Sequence, residues 1–306
     1  MKKTMAALSI LLMGLVFSPA LWAAEEGEQP DVEYGGRATP EESVNYHHNG
    51  TLYRVNIHHR RPARGIAETP ESRRQKGFLE NISTTVYSNF RSRYVYEGLA
   101  NSQGFVWQPA ATIEAYGVGL NVWGNFVLND EPDQGRMNEV DLTLYYDTKI
   151  GDLTIHPYVM FCFYPTDNEK SLNYSAYSDI KPSLHLAYSL GVIDIVTELI
   201  FYAHPTAGAL LWDFGLGFQH ELIDRLGIET TALFGLGNSR FNRNAFGSPQ
   251  TRINRFEYSL SLPWNPWRGL VIEPNVHVST LLPKRFRDAV QTPVLVWGGV
   301  DFTYHF

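Results

Sequence analysis

The chain has one cysteine, Cys162, in 306 residues. A single thiol excludes an intrachain disulfide framework and leaves too few thiols for a zinc centre built from several cysteines. Cations are also short: 25 Lys and Arg stand against 32 Asp and Glu, a formal charge of −7. Nucleic-acid binding needs a surplus of cations on one surface, so that partner class is excluded. After the first two dozen residues no run of 18 consecutive apolar residues occurs, and no later helix is expected to span a bilayer. No phosphate-cradling glycine motif stands at a strand-to-helix junction. What is present is 44% hydrophobic and 13% aromatic residues at a mean hydropathy of −0.22. Soluble proteins share these values with membrane barrels, in which half of every strand faces a wet interior.

Residues 1–24 have the pattern of a secretory signal peptide. Lys2 and Lys3 precede an apolar run from Met5 to Phe17, and Ser18-Pro19-Ala20 breaks it before the small residues Ala23 and Ala24. No cysteine follows to accept a lipid anchor. Residues 25–77 hold no sustained apolar period and are expected to form a poorly ordered or extended periplasmic arm. Its first part is acidic; its second part carries Arg54, Arg60, Arg61, Arg64, Arg73 and Arg74. The doublets His47-His48 and His58-His59 are solvated histidines on this reading, since neighbours on an extended chain point opposite ways and cannot share a metal.

From residue 78 the texture changes to short alternating segments. Val140 to Asp147 and Ile272 to Ser279 place an apolar residue at every second position, which only a strand period fits. About twelve such strands are expected, at 80–96, 105–116, 119–128, 137–149, 152–163, 178–190, 192–203, 209–221, 226–237, 252–262, 269–280 and 294–306. Tight connections fall around Gly117, Gly151, Gly191, Leu222-Ile223-Asp224 and Trp264-Asn265-Pro266-Trp267. They alternate with connections that are mostly longer and polar, beginning with Glu97–Gly104. If each strand crosses one layer, all tight turns share one end and all long loops the other. That is the arrangement of an outer-membrane β-barrel of a Gram-negative-type envelope. Aromatic residues gather in two bands that suit interfacial girdles. Tyr94, Tyr96, Phe105, Trp107, Phe161, Phe163 and Trp212 lie towards the loops; Tyr116, Tyr146, Tyr188, Trp264, Trp267 and Phe306 lie towards the turns.

The last segment, Val300 to Phe306, resembles the closing strand of outer-membrane barrels, whose terminal Phe is read by the barrel-insertion machinery; Phe306 is the matching residue. Ser92-Arg93-Tyr94-Val95-Tyr96-Glu97-Gly98-Leu99, then Trp107-Gln108-Pro109, then Leu120-Asn121-Val122-Trp123-Gly124-Asn125 is similar to the opening of the TorF-like family of bacterial outer-membrane porins. In that family a first strand ending Tyr-x-x-Arg-Gly precedes a Gln on the second strand and Trp-Gly on the third. Glu97 stands where the pattern has Arg, with Arg93 close by. The match covers about a sixth of the chain and implies a transport barrel without naming a solute.

Alternation assigns the polar set to the lumen. The acidic lumen residues chosen are Glu114, Asp141, Glu198, Asp213, Glu229 and Glu273, opposed by Arg91, Arg93, Lys181 and Arg255. Glu139, Asp147, Asp194, Glu257 and Asp301 share that face, as do His156, His185, His277 and His305. The resulting expectation is a transmembrane antiparallel β-barrel at residues 78–306, passing small polar solutes by diffusion through a cation-leaning lumen, with no catalysis, cofactor or metal. Outer-membrane lipids are its surroundings. The basic residues 54–74 are a candidate lumen plug. The alternatives are a non-conducting interaction barrel with a periplasmic partner, and a lipid-modifying hydrolase. The hydrolase needs a His and Ser pair on the lipid side, where alternation places none.

Overall fold

A computed structural model describes residues 43–48, 51–56, 82–130, 133–165 and 178–306. The signal-peptide assignment, the histidines His58 and His59, and Arg60, Arg61, Arg64, Arg73 and Arg74 lie outside these residues. Within the arm, β1 (Ser43–His48) and β2 (Thr51–Asn56) form a two-stranded sheet of their own, with Arg54 on the second strand.

The remaining chain is a closed antiparallel barrel of twelve long strands. In chain order they are β3 (Ile82–Arg91), β6 (Val106–Ala115), β7 (Val118–Val127), β8 (Met137–Tyr146), β10 (Leu153–Phe163) and β11 (Ser178–Ser189). They continue with β12 (Ile193–Tyr202), β13 (Ala209–Ile223), β14 (Leu226–Gly237), β15 (Arg252–Ser261), β17 (Leu270–Leu281) and β18 (Val294–His305). Each pairs with the next in sequence, and β18 closes the ring on β3, with Asp301 opposite Asn89. Closure leaves no long edge whose amides and carbonyls lack partners, the condition a sheet must meet in a hydrocarbon layer. Two short strands, β9 (Thr148–Ile150) and β16 (Trp264–Trp267), extend the sheet at the turn end.

The turns are tight where the sequence places them. At Tyr116-Gly117 both residues have positive φ, 55° and 80°, as a two-residue hairpin turn of the type matching strand twist requires. The opposite end carries the long connections, two of them with a short helix, Ser239–Phe246 and Lys284–Arg287. The first helix is capped by Asn238, whose side chain accepts from the amides of Arg240 and Phe241.

Sidedness is consistent around the ring. Ile113, Leu120, Leu144, Ile195, Leu216, Val276, Val296 and Phe302 project outward and are exposed, while their neighbours turn inward and are buried or half-buried. An apolar exterior around a polar interior is the inverse of a water-soluble barrel. Among the girdle residues, Phe105, Trp212, Tyr116, Tyr146, Tyr188, Trp264, Trp267 and Phe306 are exposed. Tyr94 and Tyr96 are a correction. The strand expected over 80–96 ends at Arg91, and both tyrosines lie inside the barrel on a separate hairpin, β4 (Tyr94–Tyr96) and β5 (Leu99–Ser102). The interior is also less uniformly polar than alternation alone predicts. Near the loop end Leu211, Leu281 and Ile200 join Phe241, Phe246 and Phe286 from the two helices in an apolar cluster, with Leu99 of the hairpin against it.

Candidate functional site in the barrel lumen

The hairpin is the centre of the lumen's loop half. Its base is tied to the wall by Ser92, whose amide donates to the Gly298 carbonyl at 2.9 Å. It is tied again by Asp130, which accepts from Ser102 Oγ at 3.0 Å and from the Gln103 amide at 2.6 Å. Along the hairpin, Tyr94 packs on Trp123 with ring centroids 5.5 Å apart, and Val95 packs on Leu295 and Trp297. At the tip, Glu97 (φ 53°) and Gly98 (φ 80°) make the tight turn. Gly98 is needed twice over. An L side chain is strained at that φ, and a Cβ there would stand 3.0 Å from Arg255 Cδ.

The tip docks on charged and aromatic groups of the wall. Lys181 of β11 is buried and directs its ammonium to Tyr96, 3.3 Å from the hydroxyl and 4.4 Å from the ring centroid; the Tyr202 centroid is 5.2 Å away. A contact between a desolvated ammonium and an aromatic face is worth about 2 kcal/mol. Asp179 provides its carboxylate at 3.4 Å. Glu97 accepts a hydrogen bond from the Tyr202 hydroxyl. Burial pushes the Glu97 carboxyl above its ordinary pKa; Lys181, the Tyr202 hydrogen bond and Arg255 pull it back, and Asp213 adds to the rise. Beneath the tip, Arg255 lies 2.5 Å from Asp213 and 3.7 Å from Glu257, all three buried.

A third cationic group sits across the lumen. Arg91 donates to Asp301 at 2.6 Å and to the Asn275 side chain, and its Nη1 is 3.2 Å from His277 Nε2. His277 stacks flat on Trp297, with centroids 5.0 Å apart and planes 8° apart. Between this group and the hairpin lies a cavity of about 30 Å³ lined in part by Asn89, Arg93, Gln108, Trp123 and Glu257. Asn89 Oδ1, Arg93 Nε and Glu257 Oε2 are buried there without hydrogen-bond partners. The cavity has the volume and polar groups to hold water.

The turn half differs in charge. Glu114, Asp147, Asp194, Glu229 and Glu273 gather there, half-buried except for buried Asp194. Tyr145 donates to Glu114 at 3.0 Å, and His156 stands 2.5 Å from Asp147. Among the described residues, no Lys or Arg of a long strand faces the lumen at this end; exposed Lys149 on β9 is at the rim. Glu198, at mid-height, is buried and accepts from the Tyr158 hydroxyl.

Of the selected lumen residues, Arg91, Arg93, Lys181, Arg255, Asp141 and Asp213 lie in the loop half, Glu198 lies at mid-height, and Glu114, Glu229 and Glu273 lie in the turn half. Sequence reasoning missed Tyr96, Glu97 and Tyr202. A signal for the first two was present in Glu97-Gly98, a turn dipeptide inside what otherwise looked like a long strand followed by a loop.

No family model matches the chain and no curated protein does. Among solved structures, the NanC porin is 10% identical with a TM-score of 0.43, covering 73% of this chain and 98% of its own. The KdgM porin is 11% identical with a TM-score of 0.42, covering 73% and 99%. The COG4313 outer membrane channel from Pseudomonas putida F1 is 10% identical with a TM-score of 0.42, covering 74% and 96%.

Proposed function

We propose that the protein is a porin-like channel of the bacterial outer membrane, passing small polar solutes by diffusion and narrowed by its first long loop. The observation that carries this reading is the pairing of an apolar exterior with a charged lumen in which the hairpin β4–β5 is docked on Lys181 and Arg255. A barrel serving only as an anchor has no need of a removable segment inside it. Twelve strands enclose more space than the eight whose lumen side chains fill, so undocking the hairpin frees a passage.

The lumen is cation-leaning on this reading. Solutes must pass the acidic groups Glu114, Asp194, Glu229 and Glu273, which repel anions and concentrate cations. The same groups offer a counter-charge to a cationic arm entering from the turn end, so Arg54, Arg60, Arg61, Arg64, Arg73 and Arg74 remain a proposed second plug. Membership of the TorF-like family is proposed too; Tyr94, Gln108 and Trp123, which carry that resemblance, line one cavity beside the hairpin. Insertion-machinery recognition of Phe306 belongs to the same proposal.

The test is planar-bilayer recording of the refolded full chain beside a variant with residues 94–102 replaced by a short Gly-Ser turn. The expected result is small or intermittent conductance in the first and larger, steady, cation-selective conductance in the second. No conductance from either protein, with or without residues 24–76, would favour a non-conducting interaction barrel.

A further inference from the structure

Three acidic side chains of the loop half lie on one row with the cysteine. Strands β8, β10 and β11 lie side by side, and their register sets Asp141 opposite Cys162 and Cys162 opposite Asp179. Glu139, two residues before Asp141, shares its face. The ligating atoms of Glu139, Asp141 and Cys162 all lie within 4.8 Å of one another, and all three residues are buried. Tyr94 of the hairpin stands beside Glu139, and the Cys162 thiol beside Asp141. Asp141 is 7% exposed, yet its Oδ1 has no hydrogen-bond partner.

The nearby ammonium does not balance this row. Lys181 lies 3.4 Å from Asp179 and is engaged by the rings of Tyr96 and Tyr202. Three carboxyl groups face one ammonium there, and buried carboxyls in excess of their cations are protonated or coordinate a metal. A thiolate beside two carboxylates is a donor set for a borderline-soft divalent ion rather than for calcium or magnesium. Bound ligand atoms lie about 3.5 Å apart around a tetrahedral zinc-type ion, which small side-chain rotations from the present spacing reach.

We propose that Glu139, Asp141 and Cys162 form a binding site for a divalent ion of the zinc and cadmium class, at the foot of the docked hairpin. Binding exchanges the Cys162 thiol proton for a metal–sulfur bond and releases that proton to solvent. Both carboxylates and the thiolate are anionic ligands, so the dication leaves the three-ligand set with one negative charge, which the Lys181 ammonium faces. Tyr94, next to Glu139, links the ion to the hairpin.

The test is titration of the refolded full-length protein with Cd²⁺ and, separately, Co²⁺, with binding read from the thiolate-to-metal absorption band. Because the readout is spectroscopic, it does not depend on the barrel conducting. One equivalent of Cd²⁺ should produce the band and slow maleimide labelling of Cys162 at least about tenfold. Cys162→Ser should abolish the band, and the near-isosteric Asp141→Asn should weaken Cd²⁺ binding about tenfold or more. Asp147→Asn, at the turn end, should leave binding unchanged. A wild-type protein that shows no band with either ion overturns the site, as does an Asp141→Asn protein that binds Cd²⁺ like wild type.

Discussion

Lys181 and Tyr96 meet inside the barrel, ammonium 3.3 Å from hydroxyl, although 85 residues of chain separate them. One belongs to the wall and the other to a loop folded into the lumen. On the proposed channel reading, solute passage depends on how long that contact lasts.

Replacing Lys181 should therefore open the channel. Lys181→Met removes the ammonium from Tyr96, Tyr202 and Asp179 while keeping most of the side chain's volume. Single-channel recordings should show longer open intervals at unchanged selectivity sign, and a cysteine placed at Asn101 should be labelled faster from the loop side.

Hairpin docking should strengthen as pH falls. Burial raises the Glu97 carboxyl, with Asp213 adding to the rise and Lys181, Tyr202 and Arg255 opposing it; Tyr96 is its neighbour in the chain. A carboxyl whose pKa is higher docked than free binds its proton more tightly in the docked state. Protonation then favours docking, and the advantage is lost as pH rises through the docked value. Conductance should drop on acidification in the wild type, and Glu97→Gln should flatten that response. An unchanged pH profile in Glu97→Gln would separate Glu97 from gating.

The Arg255 and Asp213 pair should matter more for folding than for transport. Both are almost fully buried and 2.5 Å apart. Asp213→Asn leaves the guanidinium with only the more distant Glu257 carboxylate on the wall, which should cost about 3 kcal/mol. Urea unfolding in detergent would measure it.

Selectivity should reside at the other end. Glu229→Gln with Glu273→Gln removes two charges from the acidic turn half without touching the hairpin. The reversal potential under a salt gradient should move towards zero by a measurable fraction, with conductance little changed. Anion selectivity in the wild type would reject the assigned filter.

The arm makes its own prediction. Deleting residues 24–76 should raise conductance further in the hairpin-shortened protein if the basic residues occupy the acidic turn half. Equal conductance with and without the arm would remove that plug.

The barrel was legible because its determinants are local. Val140 to Asp147 declares a strand through a period of two, and the pleat then fixes which side chains share a face. Gly117, Gly151 and Gly191 mark tight turns within a few residues of where they act. The inward placement of Arg91, Lys181, Asp213 and Arg255 follows from the same period, since a charge facing lipid is costly.

The hairpin escaped that logic. Tyr94 and Tyr96 continue the alternation of β3, and nothing local distinguishes a tyrosine facing lipid from one folded into the lumen. Its position is set by Tyr202, 105 residues later, by Lys181, and by Arg255, which is itself paired with Asp213 42 residues before it. Chain order thus determined a twelve-stranded cylinder, its two ends and its oily and wet faces, because strand period and turn chemistry act between neighbours. Only the closed ring decided which acid meets which base and what occupies the passage, because those contacts join groups that no periodicity relates.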